Sequence, residues 1–172
     1  MASSGSDGTR VLRIEPLTRE AFAPYGDLID AGGVEPVAIN DGTALKFPEL
    51  APIELVGGGQ AAISIYRAQP RSLPMPLLEL ERHPLGSQAF IPLQPTRYLV
   101  VVGGSAAEPK PEDVRVFLAT GQRGVNLHAG VWHHALLALE PCELVVVDRG
   151  ARDRMANLDE LDCSAWKLSI GL

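Results

Sequence analysis

The residues best suited to chemistry lie in one short stretch, Glu79-Leu80-Glu81-Arg82-His83-Pro84-Leu85-Gly86-Ser87-Gln88. It brings carboxylate, imidazole and amide groups together. An imidazole titrates near neutrality and moves protons in either direction. A second stretch, His128-Ala129-Gly130-Val131-Trp132-His133-His134, holds three of the four histidines of the chain. The two stretches are expected to face each other.

The elements around them have to aim these groups. Leu77–His83 is short and bounded by Pro76 and Pro84, which predicts a strand. Alternation along it sends Glu79, Glu81 and His83 to one face. Pro84 and Gly86 turn the chain, and Gln88 opens the next strand. His133 and His134 fall on opposite faces, so at most one of them is expected to point inward. Trp132 is expected in the core. In Ala62–Ala68, Ile63, Ile65 and Arg67 share a face, which is expected to be the buried one. An Arg there needs a counter-charge, either Glu81 or an anionic ligand. Lys46 is the alternative cation.

The remaining chain is mostly punctuated strands. Val11–Leu17 alternates and ends at Pro16, and Thr18 caps a short helix to Ala23. Asn40-Asp41-Gly42-Thr43 is a turn. Gly57-Gly58-Gly59 is another, since it lacks the helix and the Lys-Ser/Thr of a phosphate loop. Strands are expected at Gln88–Leu93, Tyr98–Val102, Val114–Thr120, Trp132–Leu139 and Leu144–Asp148. The segment from Ala151 to Leu172 is more polar and is expected to wrap the outside. Roughly nine or ten short strands with little helix predict an antiparallel sandwich or barrel. Residues 1–9 read as a disordered lead-in and 10–172 as a single domain.

Composition narrows the function. The chain has 172 residues, 46% hydrophobic and 21% charged, with a net charge of −6. It lacks the basic stripe that nucleic acid requires. It also lacks an apolar run long enough to cross a bilayer, and its start is not a signal peptide. A cytoplasmic location follows as the expectation. Cys142 and Cys163 have no zinc-site spacing and are expected as reduced thiols.

Two spacings resemble the motifs of cupins, double-sheet jelly rolls. Where the first motif has His-x-His, four residues and Glu, this chain has Glu81-Arg82-His83, four residues and Gln88. Where the second has Pro-x-Gly-x-x-His, it has His128-Ala129-Gly130-Val131-Trp132-His133. The resemblance puts Glu81, His83, Gln88 and His133 at the ligand positions of a metal. Longer words are more specific. Glu81–Pro92, Gly124-Val125-Asn126-Leu127-His128-x-x-Val131-Trp132-His133-His134 and Val147-Asp148-Arg149-Gly150 resemble the ureidoglycolate lyase family. So do Asn40-x-Gly42-Thr43-Ala44-x-Lys46-Phe47, Arg67-Ala68-Gln69-Pro70 and the opening from Ile14 to Gly26. The resemblance covers about Val11 to Gly150. It implies an all-β, cupin-like double-sheet jelly-roll barrel with minor helix. It further implies a homodimer that cleaves (S)-ureidoglycolate to glyoxylate and urea in purine breakdown, with a loosely held divalent ion, nickel by the family's preference.

That substrate carries a carboxylate, a hydroxyl and a ureido nitrogen on one carbon. Cleavage needs the hydroxyl proton removed and the leaving nitrogen protonated. His83, His133 and His128 are the candidate acid–base groups. Arg67 or Lys46 would hold the carboxylate. Gln88, Asn126 or Asn40 would hold the ureido group. Two alternatives stand beside the lyase: a cupin that binds a small organic acid without turnover, and an ammonia-releasing ureidoglycolate hydrolase.

Overall fold

The computed structural model describes residues 8–150 and 157–171. The predicted lead-in therefore falls largely outside the described residues. Two large sheets face each other. One has five strands in the order β3 (Gly26–Ile29), β12 (Gly124–Leu127), β9 (Gln88–Pro92), β15 (Cys142–Arg149), β6 (Ala61–Ala68). The other runs β16 (Asp159–Asp162), β8 (Glu79–Arg82), β13 (Trp132–His133), β10 (Thr96–Gly104), β11 (Arg115–Gly121), β2 (Ile14–Pro16). A short strand β14 (Leu137–Ala138) also pairs with β10. The architecture is the all-β, cupin-like double sheet expected. Its sheets are open rather than joined into one hydrogen-bonded ring, so it is a sandwich and not a closed barrel.

The core explains the unbroken apolar run of β10. Tyr98, Val100 and Val102 point between the sheets and pack with Phe117, Leu144 and Val146. Leu99 and Val101 point the other way, into a second cluster with Leu80, Trp132, Leu168 and Ile170. A small third sheet of β1 (Arg10–Leu12), β17 (Leu168–Ile170) and β7 (Met75–Pro76) contributes Leu12, Leu168 and Ile170 to that second cluster. The larger sheet is thus buried on both faces, which holds the strands bearing the site. Close backbone approach is needed too. A Cβ at Gly26 would sit 2.0 Å from the Asn126 carbonyl oxygen.

Several expectations change in detail. Val11–Leu17 is two strands, because β1 pairs in parallel with β17 whereas β2 pairs in parallel with β11 in a different sheet. Trp132–Leu139 is likewise two short strands on β10. The helix is confined to Arg19–Phe22, and Thr18 Oγ1 accepts from Ala21 N at 3.2 Å as a cap. Trp132 is buried and donates from Nε1 to the Ala106 carbonyl. Cys142 and Cys163 are free and buried.

The tail is the larger correction. It does not merely wrap the outside: β16 extends β8 at the sheet edge, and Leu168 and Ile170 are core residues. Their apolar side chains are separated by polar neighbours, so composition hid them. Ile170→Ala should cost about 2–4 kcal/mol, as for other buried aliphatic truncations. Urea unfolding measures it, and a loss near zero would mean the tail is dispensable.

Candidate functional site

The site forms where β8 meets β13. Glu81 and His133 are direct cross-strand neighbours, so the two polar stretches do face each other. Glu81 Oε1 lies 3.7 Å from His133 Nε2 and 3.9 Å from His83 Nε2. The ligand atoms of all three residues lie within 4.8 Å of one another. The imidazole centroids of His83 and His133 are 5.3 Å apart.

Two backbone carbonyls set the chemistry of these rings. His133 Nδ1 lies 2.8 Å from the Val131 oxygen, and His83 Nδ1 lies 2.8 Å from the Asn157 oxygen. A carbonyl only accepts, so each Nδ1 carries a proton, and in the neutral ring the lone pair is on Nε2. Both Nε2 atoms are buried and make no hydrogen bond to a described residue, as is Gln88 Oε1. Gln88 Nε2 donates to Asp148 Oδ2 at 3.4 Å, which orients the amide. Asn157 acts twice, since its Oδ1 also accepts from Leu85 N at 2.7 Å and pins the turn after β8.

Burial shifts two of these groups in opposite directions. It pushes His133 down to about 4, with its hydrogen bond to Val131 opposing and the His83 and His134 charges assisting. His133 is therefore neutral at physiological pH. Burial raises the Glu81 carboxyl, partly offset by the neighbouring His83 and His134. Two imidazole nitrogens, a carboxylate and an orphaned amide oxygen are a donor set of intermediate hardness that fits a divalent first-row ion. A metal–ligand bond of about 2.1 Å puts two ligands at most ~4.2 Å apart, and both distances to Glu81 meet this.

Glu81, His83 and Gln88 line a cavity of about 390 Å³ between the sheets, with His133 buried beside Glu81. Its walls include Ser64 and Tyr66 from β6, Gln88, Asp148, and Asn157. The sequence reading missed Ser64, Tyr66, Asp148 and Asn157 as wall residues. The signal for the first two was present, since they occupy the strand face opposite Ile63 and Ile65.

The other candidates lie elsewhere. On β6 the inward row is Ala62, Ser64, Tyr66, so Ile63, Ile65 and Arg67 face outward, the reverse of the expected orientation. The Arg67 side chain is 79% exposed and pairs with Glu143 at 2.7 Å. Lys46 and Asn40 sit on an exposed hairpin, β4 (Val37–Ile39) and β5 (Ala44–Lys46), away from the cavity walls. Asn126 is buried and donates to Asp27 Oδ2 and to the Pro52 carbonyl. His128 Nε2 lies 3.2 Å from the same Asp27 oxygen. Neither borders the cavity. His134 is half-buried, with Nδ1 bonded to the Ala135 carbonyl.

Residues 9–169 match the family model described as ureidoglycolate lyase. A ureidoglycolate lyase of Burkholderia cepacia is 47% identical over 165 residues, covering 95% of this chain and 93% of the relative. One from Burkholderia mallei is 46% identical over 159 residues, with 91% and 93% covered. One from Stutzerimonas stutzeri is 47% identical over 153 residues, with 88% and 89% covered.

The buried imidazole makes the metal-free fold acid-sensitive. An unfolded chain protonates His133 near pH 6.5, whereas the folded chain resists until about 4. Stability is therefore lost as pH falls through that window, by on the order of 3 kcal/mol. Glu81 acts with the opposite sign, because its folded form takes up a proton first and acid relieves the cost of burying its charge. Urea midpoints measured from pH 7 to 4 should fall, and His133→Gln should flatten the fall. An unchanged slope in that variant would assign the acid loss to other groups.

Proposed function

Because the chain belongs to the ureidoglycolate lyase family, we propose that it cleaves (S)-ureidoglycolate to glyoxylate and urea. The observation that carries this reading is the convergence of the ligand atoms of Glu81, His83 and His133, within 4.8 Å of one another, beside a cavity that Glu81 and His83 line. The reaction moves only protons and two electron pairs. The hydroxyl loses its proton, the O–H electrons close the carbonyl, and the C–N pair leaves on nitrogen, which is protonated as urea departs. Ammonia release would need a water to attack the ureido carbonyl, a step that none of these groups is required to perform here.

His133, neutral and tightly packed, is a lone-pair donor and not the acid. In the metal-free site burial raises the proton affinity of Glu81, and there the carboxylate accepts the hydroxyl proton and returns it to the departing nitrogen. We assign a loosely held divalent ion to Glu81, His83, His133 and Gln88, with nickel as the family's preference. When bound, it supplies a Lewis-acid centre that acidifies a hydroxyl and neutralises carboxylate charge. Gln88 is the weak donor of the four, so the ion exchanges readily. The enzyme is assigned to the cytoplasm, in keeping with its two free cysteines.

We also propose a homodimer closed through the outer face of the five-stranded sheet. Ile63 and Ile65 are 77% and 55% exposed there, beside the half-buried Val145 and Val147 on β15. The β4–β5 hairpin exposes Val37, Ile39 and Leu45. A two-stranded hairpin is marginal alone, and a partner surface would stabilise it. An isologous pairing covers both features at once.

Assay of the racemic substrate should give glyoxylate and urea in equal amounts with no ammonia. Ammonia formed as fast as glyoxylate would refute the lyase, and binding without turnover would point to the non-catalytic alternative. Exhaustive chelation should suppress activity and added nickel should restore it. His83→Ala should lower kcat/KM by about a hundredfold or more. Full activity in protein shown to be metal-free by elemental analysis would leave His83 and Glu81 to act unaided. Light scattering at micromolar concentration should give twice the 18.4 kDa chain mass. Ile63→Asp with Ile65→Asp should give a folded monomer, and a dimer surviving both changes would place the interface elsewhere.

A further inference from the structure

We propose that Asp148 is the specificity-determining residue that holds the ureido end of the substrate. The proposal rests on the lyase reading above and extends it to a residue outside the Glu81–His83–His133 cluster. On β15, Leu144 and Val146 point into the core between the sheets, and alternation continues that row to Asp148, which borders the cavity. Its cross-strand neighbour on β6 is Ala62, so no large side chain covers it from that side. It accepts a hydrogen bond from Gln88 Nε2 at 3.4 Å, with Gln88 itself 5% exposed. Among the described residues no cation pairs with Asp148. The adjacent Arg149 donates instead to the carbonyls of Val56, Gly58 and Leu85. A carboxylate is thus presented to the cavity with accepting capacity to spare.

The chemistry of the substrate matches this polarity. A ureido group offers coplanar N–H donors from its terminal NH2 and its NH, and a carboxylate accepts two such bonds side by side. The other end of the substrate is an anion. Like charge keeps that end away from Asp148, and a cation held by Glu81, His83 and His133 would attract it together with the hydroxyl. The cavity is therefore polarised, and the substrate has one favourable orientation. A site built to hydrogen-bond N–H groups also rejects analogues that lack them more strongly than an apolar site rejects a missing methylene.

Calorimetry with three unreactive probes tests this. N-carbamoylglycine carries both ends but no hydroxyl, N-acetylglycine replaces its terminal NH2 with methyl, and oxalate mimics the acid end alone. The wild-type protein, loaded with nickel, should prefer N-carbamoylglycine over N-acetylglycine. Asp148→Asn, which keeps an acceptor for Gln88, should lose about ten- to a hundredfold in affinity for N-carbamoylglycine. It should erase the preference over N-acetylglycine and bind oxalate within about twofold of wild type, the ordinary scatter of a surface-neutral change. Asp148→Ala should behave alike, with thermal melts showing both variants folded. A preference that is absent in wild type or survives in both variants would overturn the proposal. So would an equal loss of oxalate, which would mean that Asp148 supports the whole cavity and not one end. Failure of the lyase reading is seen separately, as the absence of glyoxylate from the wild-type enzyme whatever the probes do.

Discussion

The site depends on two hydrogen bonds from imidazoles to main-chain carbonyls, His133 to Val131 and His83 to Asn157. Because the carbonyls can only accept, they put a proton on Nδ1 of each ring and turn each Nε2 towards Glu81. Neither carbonyl depends on a side chain, so the constraint belongs to the backbone path. That path is held in turn. Gly130 N donates to the His83 carbonyl, and Asn157 Oδ1 ties down Leu85. Three segments far apart in sequence, around residues 83, 131 and 157, therefore form one unit. A shift of any one of them would turn a lone pair away from the others.

The rest of the fold makes that unit rigid. β8 and β13 belong to a sheet with apolar clusters on both faces, and Arg82 lies 4.5 Å from the Trp132 ring centroid on the side away from the cavity. Burial has a cost as well as a use. It drives His133 to its neutral form and raises the proton affinity of Glu81. A water-filled setting would leave both groups near their ordinary values. The same low dielectric that makes the uncharged imidazole a good lone-pair donor makes its protonation in acid destabilising.

The five-stranded sheet shows how a binding cavity alters the usual pattern of a strand. On β6 the inward residues are Ala62, Ser64 and Tyr66, while the isoleucines face out. A strand that lines a polar cavity carries small and hydroxyl-bearing residues inside. If its outer face meets another molecule, the apolar residues belong there. Alternation alone is symmetric between these two arrangements, since it separates the faces without saying which is inner.

The sequence by itself determined the all-β class, the short helix capped by Thr18, and the pairing of the Glu81–His83 stretch with His133. These follow from local punctuation, from two-residue periodicity and from the family words. Its likeness to the cupin motifs nominated Glu81, His83, Gln88 and His133, of which the fold brings Glu81, His83 and His133 within 4.8 Å of one another. What only the tertiary structure decided is the direction in which side chains point and which distant segments meet. Arg67 was assigned inward because it shares a face with two isoleucines, and the cavity's polar lining reverses that face. Lys46 and Asn40 lie on a hairpin whose sequence says nothing of where it projects. The tail seemed peripheral because its polar residues outnumber Leu168 and Ile170, yet Asn157 supplies the carbonyl that sets the His83 tautomer. A backbone carbonyl has no residue type to recognise, so its role emerges only when the chain has brought residues 83 and 157 together.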